Sequence, residues 1–63
     1  MQFHRDPAGR YTNSNYRIFK NDRWWYLYKC LIGGHSKYLG MYKHLWEAKK
    51  FAENDFRCLT PNH

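Results

Sequence analysis

Residues 23–42, RWWYLYKCLIGGHSKYLGMY, decide how the rest of the chain is read. The stretch contains no acidic residue, is crowded with Trp24, Trp25, Tyr26, Tyr28, Tyr38 and Tyr42, and divides at Gly33-Gly34. Aromatic residues favour a pleated, half-buried surface, and paired glycines supply the positive φ that a tight connection needs. The stretch predicts a β-hairpin. Period-two alternation sorts its first strand into two faces. Trp24, Tyr26, Tyr28, Cys30 and Ile32 form a set unbroken by charge, and this set is expected to face the core. Trp25, Leu27, Lys29 and Leu31 are then expected to look outward, a surface of Trp, Leu and Lys sticky enough to mark a partner site.

Upstream, residues 16–19, YRIF, predict a short first strand with Tyr16 and Ile18 on one face and Arg17 and Phe19 on the other. Asn21-Asp22 supplies the turn into the hairpin, completing an antiparallel three-stranded meander. Gly40 interrupts the third strand where a side chain is unwelcome. Residues 1–15, MQFHRDPAGRYTNSN, are rich in turn formers and read as a flexible basic arm, with Arg5 and Arg10 available to follow a phosphate backbone. Downstream the period changes. Leu45, Ala48, Phe51, Ala52 and Phe56 recur at steps of three and four, which predicts an amphipathic helix from about His44 that ends before Pro61. Its small inner residues, Ala48 and Ala52, let it lie close to the sheet, with Phe51, Phe56 and Trp46 filling the margins. The expected fold is α+β, a three-stranded antiparallel sheet packed on one C-terminal helix (βββα). The arm covers 1–15, a single domain 16–60 and a tail 61–63.

With 63 residues there is room for one sheet and one helix, and an aromatic fraction of 21% argues against wholesale disorder. No apolar run reaches the roughly 20 residues of a membrane span, and the N-terminus lacks the apolar core of a signal peptide, so a soluble cytoplasmic protein is expected. Cys30, on the expected core face, and Cys58, after the expected helix, read as buried or half-buried thiols rather than a disulfide. His4, His35, His44 and His63 sit at no ligand spacing with either cysteine, so neither metal nor other cofactor is expected. The strands carry no carboxylate, and neither a Ser-His-Asp set nor a phosphate loop is present, which points to binding rather than catalysis.

Charge is distributed unevenly. Of the net +6, residues 1–43 hold eight basic and two acidic side chains, and the remainder three of each. A neutral helix behind a basic, aromatic sheet suits a polyanion, and nucleic acid is the expected partner.

Residues 21–54, NDRWWYLYKCLIGGHSKYLGMYKHLWEAKKFAEN, resemble two groups of sheet-plus-helix DNA-binding domains: the plant ethylene-response factors of APETALA type and the N-terminal arm-binding domains of tyrosine-recombinase integrases. The resemblance is carried by Gly34, the Leu39-Gly40 pair closing the third strand, Tyr42, the Glu47-Ala48 pair opening the helix, and Phe51-Ala52. It extends to the YLYK at residues 26–29, which is similar to the second strand of transposon-type arm domains. It implies a sheet laid in the major groove of double-stranded DNA, with Trp25, Leu27, Lys29 and Tyr38 towards the bases and Arg17, Lys20, Arg23 and Lys37 on phosphates. Where the ethylene-response pattern has arginines on outward strand positions, Trp25, Leu27 and Leu31 stand here, and such an apolar face reads thymine methyls or shape. The expected role is a small phage or mobile-element factor, regulatory or accessory to recombination. The alternative is a stand-alone module that inhibits or modulates a host protein through the same face, where the Trp25-Leu27-Leu31 patch would be a hot spot. A further variant is single-stranded nucleic acid, whose bases stack on aromatic rings.

Overall fold

The computed structural model describes residues 1–59, with the side chain of Leu59 left out. The expected tail at 61–63, the helix stop at Pro61 and His63 lie outside the described residues. The chain is α+β: a five-stranded antiparallel sheet in sequence order, β1 (His4–Arg5), β2 (Tyr11–Thr12), β3 (Tyr16–Asn21), β4 (Trp24–Cys30) and β5 (Ser36–Tyr42), followed by α1 (Leu45–Leu59). The meander and the C-terminal helix stand as expected, and the strand count rises from three to five. The two added strands come from the stretch read as an irregular arm. There Asp6 folds a tight turn, its carboxylate accepting from the Arg10 backbone N–H at 2.8 Å and from Arg10 Nε at 3.0 Å, with Gly9 at φ 87°. These bonds and the Arg10 charge hold the Asp6 carboxyl below its ordinary pKa. The Asn13 side chain then caps the next turn by accepting from the N–H groups of Asn15 and Tyr16 at 2.8 and 2.7 Å.

The β3–β4 turn falls at Asp22-Arg23, one residue later than expected, with Asp22 in the left-handed region at φ 61°. Asp tolerates that region better than most side chains. At the next hairpin Gly33 and Gly34 both take positive φ, 83° and 80°, within one 3-10 turn, Ile32–Gly34.

The sheet faces are the reverse of the expected ones. Tyr16, Ile18, Leu27, Ala48 and Ala52 are fully buried, and Trp25, Leu39, Tyr42 and Leu45 pack around them, so Trp25 and Leu27 point to the helix. Trp24, Tyr26, Tyr28 and Cys30 lie on the opposite, outer face, and Ile32 projects from the hairpin tip with 98% of its surface exposed. The cause is visible at Lys29. A charge in an apolar strand argues for the outer face, yet the Lys29 Nζ reaches Asp55 of α1 at 3.4 Å, and only 19% of the side-chain surface stays exposed. The same Asp55 carboxylate accepts from the Tyr16 hydroxyl, which ties β3 to the helix.

The strand registers confirm the facing. Ile18 pairs with Leu27, Phe19 with Tyr26 and Arg17 with Tyr28, so the β3 alternation matches that of β4. On β5 the pairing slips between Tyr28↔Tyr38 and Leu27↔Gly40, leaving Leu39 as an extra residue. This bulge lets Tyr38 and Met41, three apart, share the outer face, while Leu39 turns to the core. Gly40 is required by space: a Cβ there would lie 2.8 Å from the Tyr42 hydroxyl. The Tyr42 ring is held by stacking on Phe51, at 4.9 Å between centroids.

The helix begins at Leu45 after His44, whose backbone N–H donates to Glu47 Oε1 at 3.2 Å, one half of a capping box. Ala48 and Ala52 meet the sheet as expected. Phe51, Phe56 and Trp46 remain 47%, 41% and 62% exposed, so they flank the core rather than fill it. Cys58 lies within α1, not after it, and is exposed, whereas Cys30 is half-buried; both are free thiols. Among the described residues no helix is long and apolar enough to cross a membrane, and no group of three or more His, Cys, Asp or Glu is placed to hold a metal ion.

Candidate nucleic-acid interface

A single helix covers one face of the sheet, and alternation leaves the other face to solvent. What the chain places there is mostly rings. Phe19 of β3 stacks on Tyr26 and Tyr28 of β4, with centroids 5.7 and 5.5 Å apart and planes within 14°. Tyr38 of β5 leans on Tyr28 at 5.4 Å and on Tyr26 at 6.3 Å. Four rings on three adjacent strands thus form one continuous block, with Tyr38 49% and neighbouring Met41 42% exposed. At the far end of β4, Trp24 extends the apolar strip, and Lys43 Nζ stands 6.0 Å from its ring. Trp24 and Lys43 line a shallow groove with Arg23 and His44.

The charge on the strand positions of this face is one-signed. The outer positions of β3, β4 and β5 carry Arg17 and no carboxylate, and Arg23 and Lys43 stand at the end where Trp24 lies. Three of the five acids are engaged elsewhere, while Asp22 lies exposed in the β3–β4 turn beside Arg23 and Glu47 accepts from the His44 N–H. Asp6 holds Arg10, Asp55 holds Lys29, and Glu53 meets Arg57 at 3.1 Å and the N-terminal ammonium at 3.3 Å. These three carboxylates neutralise Lys29, Arg57 and the N-terminal ammonium on the helix side and Arg10 at the N-terminal turn. The cations bordering the outer face keep their charge for a partner.

Of the eight residues singled out from the sequence, Arg17 and Tyr38 lie on this face and Arg23 at its end. The other five do not reach it. Leu27 is fully buried, Trp25 packs edge-on against Tyr11 at 5.9 Å, and Lys20 Nζ lies 5.7 Å from the Trp25 ring on the helix side. Lys29 is paired with Asp55, and Lys37, opposite Lys29, is exposed on the helix-side face. Sequence reasoning missed Phe19, Trp24, Tyr26, Tyr28, Met41 and Lys43 as surface groups. The signal for them was present in β3: Arg17 belongs outside, and pairing across a two-residue turn puts Tyr26 and Tyr28 on Arg17's face.

No protein-family model, curated protein or solved structure matches the chain. The functional reading rests on the residues and their arrangement.

Proposed function

We propose that this chain is a DNA-binding protein that works by contact rather than catalysis, and that the outer face of its sheet is the contact surface. One observation carries the reading: a continuous block of four rings, with Tyr38 exposed and Phe19, Tyr26 and Tyr28 half-buried, lies on strand positions without carboxylates, bordered by Arg17, Arg23 and Lys43, in a chain of net charge +6. Phosphate contacts by the bordering cations supply affinity through counterion release, and the rings supply a surface on which nucleotides are held. A role as a regulatory or recombination accessory factor fits a surface that binds without reacting.

The test compares Arg17→Glu, on the outer face, with Lys50→Glu, on the exposed side of α1. Both are solvent-facing and both change the net charge equally. Arg17→Glu is expected to weaken binding to labelled DNA about ten-fold or more at low salt, by losing a phosphate partner and adding a repulsive charge. Lys50→Glu is expected to weaken it far less. Equal weakening by the two would assign binding to net charge rather than to this face. Absence of binding by the folded protein would sink the DNA reading and turn attention to a protein partner at the same rings.

A further inference from the structure

We propose that the outer face takes DNA as an unpaired strand, with bases stacked on the rings of Phe19, Tyr26, Tyr28 and Tyr38 and phosphates drawn to Arg17 and to the groove of Arg23, Lys43 and His44. The inference rests on the DNA-binding reading above and fixes which form of DNA that face accepts.

The argument is one of matching surfaces. A duplex buries the faces of its bases in its own stack and offers a protein the base edges, which are read by hydrogen-bonding side chains of bidentate reach. On the outer face, Arg17 and Asn21 are the side chains of that kind; the remaining positions are dominated by Phe19, Trp24, Tyr26, Tyr28, Tyr38 and Met41. A duplex laid on these rings would bring charged backbone against apolar surface and leave base edges without partners. An unpaired strand offers what the rings lack, flat apolar faces, and each base that stacks removes two apolar surfaces from water.

Dimensions and charge agree with a short strand. From Trp24 to Tyr28 the strip runs about 13 Å along β4 at roughly 3.3 Å per residue, and across three strands it spans about 10 Å. The cations border the rings instead of interrupting them: Arg17 pairs across the ladder with Tyr28, and Lys43 stands over Trp24. Bases in the middle and phosphates at the margin is the arrangement by which basic, aromatic sheets hold single strands.

The experiment titrates the protein into one labelled mixed-sequence oligonucleotide, offered as a single strand, as its blunt duplex, and as the RNA strand of the same sequence, with fluorescence anisotropy as the readout. The single DNA strand is expected to bind about ten-fold or more tightly than the duplex. Tyr38→Ala, at a position already half-exposed, is expected to weaken single-strand binding roughly five-fold or more while leaving the salt slope unchanged, and Tyr38→Trp to restore it. Duplex binding as tight as single-strand binding would overturn the inference and leave the DNA-binding reading standing. Unchanged single-strand affinity in a folded Tyr38→Ala protein would also overturn it, and so would a preference for the RNA strand. No binding to any of the three would overturn the DNA-binding reading itself.

Discussion

Asp55 shows how much can turn on one side chain. Its carboxylate receives the Tyr16 hydroxyl from β3 and the Lys29 ammonium from β4, so one helical residue ties two strands to the helix at the edge of the core. This pairing also explains why Lys29 misleads a reading of the sequence. A lone charge in an apolar strand normally marks the solvent face, and the strand itself does not show that a carboxylate 26 positions later meets it. The pairing has a consequence for alkaline stability. Burial, and then the bond to Asp55, hold the Tyr16 phenol protonated well above its ordinary value of 10.0. Above that pH the unfolded chain releases its phenol proton while the fold retains it, so the stability contributed by Tyr16 is full below about pH 10 and declines as pH rises beyond it. Tyr16→Phe is expected to cost about 1 kcal/mol at neutral pH by removing the hydrogen bond, and to melt with a shallower decline between about pH 9 and 11. Some decline remains in the variant, because burial also raises the pKa of Tyr42. Parallel declines in the two proteins, followed by thermal melting monitored by circular dichroism, would refute the coupling.

At the scale of elements, kinds were more legible than faces. The glycine pair, the change from period two to steps of three and four, and the small Ala48 and Ala52 all announce hairpin and helix, because each depends on local chain chemistry. Facing depends on a choice between an uncharged set and one that carries a single lysine, and β3 was the better witness. Placing the turn at Asn21-Asp22 or at Asp22-Arg23 shifts the pairing by two, and either choice leaves Ile18 on the face of Trp25 and Leu27. The buried YRIF alternation therefore contained the answer that the richer β4 obscured. In the arm only the turn was legible, at Asp6-Pro7-Ala8-Gly9, because two-residue strands give no periodicity by which to recognise them. What the sequence does not display is the slip at Leu39, which sits beside the close contact of Gly40 with Tyr42. Gly40→Ala tests that junction. Its new methyl would meet the Tyr42 hydroxyl, and the ring is blocked from retreating by Phe51. The expected loss is about 1–3 kcal/mol, a fall of roughly 5–15 °C in Tm for a domain of this size. Phe51→Ala in the same background should recover part of that loss by freeing the ring, and a Tm unaffected by Gly40→Ala would show that the contact is slack.

For the whole molecule the decisive feature is separation of charge. Asp6, Asp55 and Glu53 pair with Arg10, Lys29 and Arg57 away from the outer face, whereas Arg17, Arg23 and Lys43, with Asp22 in the adjoining turn, border the rings. Net charge alone would lead one to expect every cation to contribute to a polyanion's affinity. Separation predicts a smaller and more localised response. Three cations on phosphates of a single strand give a dependence of log K on log salt of about −2, at roughly 0.7 per contact. Replacing Arg17 with Gln should flatten that slope by about 0.7, and Lys43→Gln by a similar amount. Arg57→Gln should leave it unchanged, since Arg57 already spends its charge on Glu53. The slopes come from anisotropy titrations at four or so salt concentrations for each protein. A wild-type slope near −4, about what the full net charge of +6 would give, would show that the helix side or the arm also grips the strand. A slope near zero would mean that the rings bind without phosphate contact, and the cations at the border would then lose their assigned role.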